Sequence, residues 1–410
     1  MYKRQNNPKQ LELLYRENKT AFTNAFNTIY IEIKDQASAQ IWNERLNYKE
    51  GDIVWGSKNE ILFIVIASFI SGLIAKAPIF FGLKIDTYLS RNIGFVVFPM
   101  LGLYFAWKQG LSKNKYILPI LLFIGSAIFI NLLPNNDKSA TILLATIHLP
   151  ILLWAILGYL FIGGNLKDES KKIAFLQFNG HFIVMTALIF SAAMLFSGIT
   201  IALFEFLGIN IAGSYFEQIA IWGLAAIPML STYLIQNNPQ LVNKISPIIA
   251  RIFTPLVLIT LFVFLATFFY TQKNIYTDRD FLLLFNALLI IVMAIILFSL
   301  TAAESHEKSN IQLIMLFSLS LLTIIANGIA ISAIAIRLNE LGSSPNRIAV
   351  LGANLLMFIH LVFVSLALLK NLNRKAGVAS VEFAIAKFIP VYAIWAAFIT
   401  FVMPLIYPST

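Results

Sequence analysis

The 410-residue sequence contains no cysteine, and several familiar catalytic motifs are missing as well. Without cysteine there are no disulfide bonds, thiolate metal sites or cysteine nucleophiles. The chain has no GxxxxGK[ST] loop, no HExxH and no GxSxG motif, so nucleotide-driven transport and the common hydrolase arrangements lack support. We expect no cofactor and no metal, and the sequence leaves an enzymatic activity open without favouring it.

Charged residues are also scarce. They make up 12% of the chain, whereas 59% of the residues are hydrophobic and the mean hydropathy is +0.78. Soluble domains carry about 25% charged residues, so this composition predicts a polytopic membrane protein. The net charge of +10 does not indicate nucleic acid, because the basic residues lie in short loops between apolar runs, where lipid headgroups are their neighbours.

Eleven apolar runs predict the fold class, an all-α polytopic transmembrane helix bundle of about eleven spans. The runs cover residues 61–75, 93–107, 116–133, 141–163, 182–204, 216–235, 249–270, 281–300, 311–336, 348–369 and 388–407. A spanning helix needs about 20 residues. The first two runs are therefore short, and the other nine are of adequate length.

The residues before the first run predict a small helical cytoplasmic region, 6–60, ahead of the membrane domain, 61–410. Phe22, Phe26 and Tyr30 recur at helical spacing and form either a packing face or a docking face for a protein partner. The opening MYKRQ is similar to a translated sequencing adaptor, so we expect residues 1–5 to be adaptor-derived.

The distribution of Lys and Arg predicts the orientation. With eleven spans, 13 of them lie in loops on the side of the N-terminal region and 8 in the opposite loops. Because basic loops stay in the cytoplasm, we expect the N-terminus inside and the C-terminus outside. The expected location is a bacterial cytoplasmic (inner) membrane, with the lipid bilayer as partner, and the oligomeric state is left open.

Residues 337–370 contain the most distinctive pattern, a polar hairpin followed by an apolar helix with a polar stripe. Ser343 or Ser344 is suited to cap this helix and Pro345 to its first position. Five polar residues then share a sector of roughly 140°: Asn346, Arg347, Asn354, His360 and Ser365. Polar side chains are costly next to lipid, so the stripe should face protein or a cavity.

A candidate polar intramembrane site follows from this stripe and from polar residues in other runs. Its members are Arg347, Asn354, His360, Asn327, Asn286 and His148. The asparagines either tie helices together or coordinate a polar ligand, and His148 either satisfies a carbonyl freed by Pro150 or titrates in a water-filled path. Arg337 and Arg347 are candidate anion contacts.

Two loops hold further charged clusters. Asp278, Arg279 and Asp280 precede a helix, where acids complement the helix dipole, and the alternative interpretation is a gate for anions or cations. Glu304, His306 and Glu307 form a loop whose composition fits solvation, metal binding or proton relay.

Three stretches resemble a known family: IWNERLNY (41–48), TDRDFLLLFNALL (277–289) and IRLNELGSSPNRIAVLGANLL (336–356). In these stretches the chain is similar to an uncharacterised bacterial multi-pass membrane protein family, the domain of unknown function 4153 type. The resemblance implies an integral membrane protein and brings with it no activity, cofactor or catalytic residue.

Transport of a small solute or ion is the function that the sequence favours, although no pair of intramembrane acids for coupling is evident. One alternative is a membrane enzyme acting on lipid-linked substrates, with Arg337 and Arg347 binding phosphate and His360 or Asp278 as base. Another is a non-catalytic scaffold or sensor that docks a partner through its N-terminal helices.

Overall fold

The protein consists of helices in two compact units, Met1–Gly56 and Ser57–Thr410. The computed structural model describes residues 8–17, 19–47, 55–136, 139–206, 209–239, 241, 254–263, 265–266, 270, 286, 289–290, 292–297, 310–375 and 377–407. No strand occurs in these ranges. The predicted all-α class is confirmed.

The first unit contains three short helices, α1 (Pro8–Glu17), α2 (Lys19–Ile33) and α3 (Ala37–Asn47). Phe22 and Phe26 on α2 are buried against Leu11 on α1 and Trp42 on α3. The helical stripe predicted from the sequence therefore packs inside its own unit.

Glu12 links α1 to α3 at the edge of this small core. Its carboxylate accepts from Arg16 at 2.8 Å and from Arg45, also at 2.8 Å. The hydrogen bond from Arg16 is the main cause that lowers the pKa of Glu12. This exposed pair adds little stability but orients the two helices.

Nine helical segments in the described part of the second unit are long and apolar enough to cross a membrane. They are α4 (Lys58–Phe81), α5 (Ile85–Lys108), α6 (Lys113–Leu132), α7 (Ala140–Phe161), α8 (Glu169–Phe206), α9 (Ala212–Asn237), α10 (Asn310–Leu341), α11 (Pro345–Leu372), and α12 (Val378–Ala386) together with α13 (389–406). Helices α9 and α13 each contain one π-helical turn, Phe216–Ala220 and Phe398–Val402. The predicted polytopic helix bundle is confirmed.

The two runs that seemed short in sequence are full-length helices of 24 residues each. Helix α4 begins at Lys58, three residues before the predicted run, and continues past Lys76. Helix α5 already includes Arg91. The predicted apolar runs excluded Lys76 and Arg91 because these residues are charged. Both side chains are nevertheless buried inside the bundle.

Several predictions fall on residues outside the described ranges. These are residues 1–5, most of the runs 249–270 and 281–300, the triplet at 278–280 and the loop cluster at 304–307. A shorter apolar helix, Thr254–Val263, belongs to the first of these runs. The count of eleven spans stays a prediction.

The hairpin between α10 and α11 forms as its sequence indicates. Gly342 adopts φ +74°, in the left-handed region that favours glycine. Ser344 caps α11 by accepting from the amide of Arg347, and Pro345 occupies the first turn. The predicted helix start is confirmed, with Ser344 as the capping residue.

Glycine allows close helix crossings at two aromatic side chains. A Cβ atom on Gly72 of α4 would overlap the ring of Trp222 on α9, and one on Gly352 of α11 would overlap Trp395 on α13. Trp222 also stacks on Phe69 at 5.1 Å, so its ring has little room to move. Small residues at such crossings let two backbones approach.

We predict that Gly72→Ala destabilises the protein by roughly 1–3 kcal/mol, the usual cost of overpacking a core. Gly125→Ala on α6 is the matched control, because a Cβ there meets open space. It should be neutral or stabilising by up to about 1 kcal/mol, since alanine is the better helix former. Unfolding in detergent measures both, and equal stabilities of the two variants would contradict the close α4–α9 crossing.

Candidate functional site

Three of the predicted site residues meet where α10 packs against α11. Asn354 donates from Nδ2 to Oδ1 of Asn286 at 2.6 Å, and Asn327 donates from Nδ2 to the backbone carbonyl of Asn354 at 3.0 Å. The structure thus joins asparagines from three separate predicted helices. Asn327 and Asn354 are fully buried, with no exposed side-chain surface.

This asparagine cluster leaves two acceptors without a donor. The Oδ1 atoms of Asn327 and Asn354 are buried and have no hydrogen-bond partner within the described ranges. An unsatisfied buried polar atom costs about 1–3 kcal/mol, and water is scarce at membrane depth. Two such atoms in one cluster are acceptors that a small hydrogen-bonding or cationic ligand would satisfy.

The polar seam continues along the same two helices. Ser365 on α11 donates to the hydroxyl of Ser320 on α10 at 2.8 Å, and both side chains are buried. On the opposite side of α11, Leu355 and Ile359 are exposed. The prediction that the polar stripe faces protein is confirmed for Asn354 and Ser365.

His360 belongs to the same stripe but contacts a different neighbour. Its Nδ1 lies 3.0 Å from the hydroxyl of Tyr392 on α13, and its ring stacks on Phe388 at 4.4 Å. Its Nε2 is buried with no partner among the residues described. The sequence predicts one polar face, but the structure divides it between two interfaces. Asn354 faces α10 and His360 faces α13, because the two residues are about 120° apart around the helix.

The remaining predicted site residues have local partners. Arg347 donates to the carbonyls of Leu341 and Gly342 at 3.1 and 2.7 Å, so its guanidinium closes the α10–α11 hairpin. His148 pairs with the carbonyl of Leu144 in its own helix at 2.9 Å. Neither joins the asparagine cluster, and Arg337 is half-buried near the end of α10.

A buried carboxylate, Glu60, was missed in the sequence. Its Oε1 accepts from Tyr104 at 2.6 Å, Lys108 at 2.9 Å and Asn237 at 3.1 Å, which joins α4 to α5 and α9. The carboxylate also lies in the first turn of α4, where the helix dipole favours negative charge. The sequence pattern assigns Glu60 to the N-terminal region, because hydropathy alone does not show that an acid next to an apolar run is buried.

Lys76 is the second charged residue that the sequence analysis passed over. It is 4% exposed, donates to Oε1 of Gln218 at 2.8 Å and lies over the rings of Phe80 and Trp222 at 5.5 and 5.7 Å. No ion pair of Lys76 occurs in the described part of the chain. Gln218 lies in the π-helical turn of α9, a type of turn that frequently marks functional sites.

Between Glu60 and Lys76, the α4–α9 interface contains further polar atoms. The hydroxyls of Ser68 and Ser71 on α4 and of Thr232 on α9 are buried and lack partners within the described ranges. A lysine interrupting an apolar run was the one available signal for this second seam.

We predict that Glu60→Gln destabilises the protein by roughly 1.5–3 kcal/mol, the value of hydrogen bonds to a charged group. Glu217→Gln makes the same change at an exposed residue of α9 and should stay within about 0.5 kcal/mol of wild type. Unfolding of the two variants in detergent gives the comparison. A fully stable Glu60→Gln variant would contradict the role of the carboxylate as the link among three helices.

Comparison with known proteins adds no relative to this description. No family model, curated protein or solved structure matches the chain. The resemblance to the domain of unknown function 4153 type stays a prediction that depends on the three stretches named above. The residues themselves establish a multi-pass helical membrane protein with two buried polar seams.

Proposed function

We propose that the protein transports a small uncharged polar solute or a monovalent cation across the membrane, along the α10–α11 interface. The observation that carries this proposal is the pair of unpartnered amide oxygens, Oδ1 of Asn327 and Oδ1 of Asn354. A purely structural tie would satisfy both ends of each amide. Here the donors are used and the acceptors are left for an occupant.

The chemistry of the seam defines the class of occupant. Its described members are amides and hydroxyls, which accept from O–H and N–H groups and coordinate hard cations through oxygen. Asn327, Asn354, Ser320 and Ser365 carry no charge, so the site does not attract anions. A polyol, an amide, Na⁺ or K⁺ fits this lining.

The proposed setting is a bacterial cytoplasmic membrane, with the N-terminal region inside and the C-terminus outside. The excess of Lys and Arg in alternate loops supports this orientation. The contacts of Glu60 with Lys108 and Asn237 agree with this orientation. They join the start of the first span to the ends of the second and sixth spans, which all lie on the same side of the membrane when successive spans alternate in direction.

The two alternative functions have less support. Arg347 uses its guanidinium on the carbonyls of the α10–α11 hairpin, which leaves it poorly placed to bind a lipid phosphate. Phe22 and Phe26, which would dock a partner, are buried within the first unit.

The test is flux into liposomes that contain the purified full chain. The probes are radioactive sodium and rubidium for cations, and osmotic swelling with glycerol and urea for uncharged solutes. Wild type should exceed empty liposomes for at least one probe. Asn327→Leu should lower that flux about tenfold, because one lost hydrogen bond is worth about 1.4 kcal/mol.

Asn339→Leu is the matched control, since it makes the same change at an exposed position of the same helix. It should transport like wild type. Unfolding temperatures of all three proteins separate loss of transport from loss of folding. Absence of flux with every probe, or equal flux through the Asn327 and Asn339 variants when both are folded, would contradict the proposal.

A further inference from the structure

A cavity of about 330 Å³ lies between α7, the first turns of α8, and α13. Its wall is mostly apolar and includes Ala155, Phe175, Ile389 and Ala393. The volume falls within the range of ligand pockets, roughly 300–1,000 Å³, and is much larger than the voids of a packed core. This cavity is distinct from the asparagine cluster of α10 and α11.

The cavity opens to the surface of the bundle through apolar side chains. Ile394 on α13 and Leu166 in the α7–α8 loop line it and are 71% and 54% exposed. On a membrane protein such a rim contacts lipid. An acyl chain therefore has direct access to the cavity, whereas a soluble polar molecule meets an unfavourable apolar entrance.

One end of the cavity is polar and contains a buried lysine. Lys172 lines it and is only 7% exposed. Its ammonium donates to Oε1 of Glu169 at 3.1 Å, and no acceptor within the described ranges takes its other two protons. The second oxygen of that carboxylate, Oε2, is buried without a partner in the described part of the chain. A buried ammonium with spare donors favours an anionic ligand.

The loop beside this end adds positive charge. The lysines of this region are Lys113, Lys115, Lys167, Lys171 and Lys172, and the acids are Asp168 and Glu169. Lys115 contacts this loop, because its ammonium donates to the carbonyl of Gly163 at 3.1 Å. Asp168 is engaged locally, because it accepts from the hydroxyl of Ser170 and the amide of Lys171, and the Ser170 bond lowers the pKa of Asp168.

We propose that this cavity binds one phospholipid with an anionic headgroup. An acyl chain lies in the apolar part against Ala393 and Phe175, and the phosphate contacts Lys172. Charge complementarity selects the headgroup, and the lipid-facing rim selects a bilayer lipid over free phosphate. In the orientation proposed above, the site lies in the cytoplasmic leaflet, where anionic lipids attract basic segments.

The experiment measures lipid binding to the delipidated full chain in mild detergent, as the shift in unfolding temperature during titration. The probes are phosphatidylglycerol, phosphatidylcholine with the same acyl chains, and glycerol phosphate. Phosphatidylglycerol should bind wild type more tightly than phosphatidylcholine, and glycerol phosphate should give no shift. Equal binding of the two lipids, or a full shift with glycerol phosphate, would overturn the proposal.

Two variants separate the headgroup from the chain. Lys172→Met should weaken phosphatidylglycerol binding about tenfold or more, the factor expected for one lost charge-assisted hydrogen bond, and remove the preference over phosphatidylcholine. Lys171→Met removes the same charge from an exposed neighbour and should retain that preference. Identical binding by these two variants would count against Lys172 as the headgroup contact.

Ala393→Phe fills the cavity and leaves Lys172 in place. It should reduce the binding of both lipids, because the acyl chain is excluded. This variant also keeps the proposal open to refutation if Lys172→Met does not fold. Undiminished lipid binding by Ala393→Phe would show that no chain occupies the cavity.

Discussion

Hydrogen bonding inside a bilayer is the constraint on which this structure depends. Lipid offers neither donors nor acceptors, so each polar group carried into the bundle needs a partner from protein or from a bound molecule. Glu60 meets this requirement with donors from Tyr104, Lys108 and Asn237. One carboxylate oxygen thereby joins three helices near the ends of their spans.

The two polar seams meet the same constraint in different ways. Along α4 and α9, the charges of Glu60 and Lys76 have partners at opposite ends, whereas three buried hydroxyls on these helices have none within the described ranges. Along α10 and α11, uncharged amides use their donors on each other and leave acceptors over. In the transport proposal, these acceptors are the groups that contact the solute.

Lipid acts on this protein as a solvent and, in our proposal, also as a ligand. Exposed aliphatic side chains such as Leu355 and Ile394 need only a hydrocarbon environment. Lys172 differs, because it is a buried cation at the polar end of an apolar cavity. A bound anionic lipid would satisfy its donors and fill a gap among α7, α8 and α13 that side chains leave open.

The amino-acid sequence by itself determined the class of protein, the approximate positions of nine described helices and the start of α11. Hydropathy and helix capping depend on neighbours along the chain, so they can be read without a fold. It also predicted that Asn354 and Ser365 face inward. Tertiary structure alone decided which asparagines meet and that His360 contacts Tyr392 instead. It also decided that Glu60 and Lys76 are buried. These are contacts between residues distant in sequence, and a single sequence contains no measure of which helix packs against which.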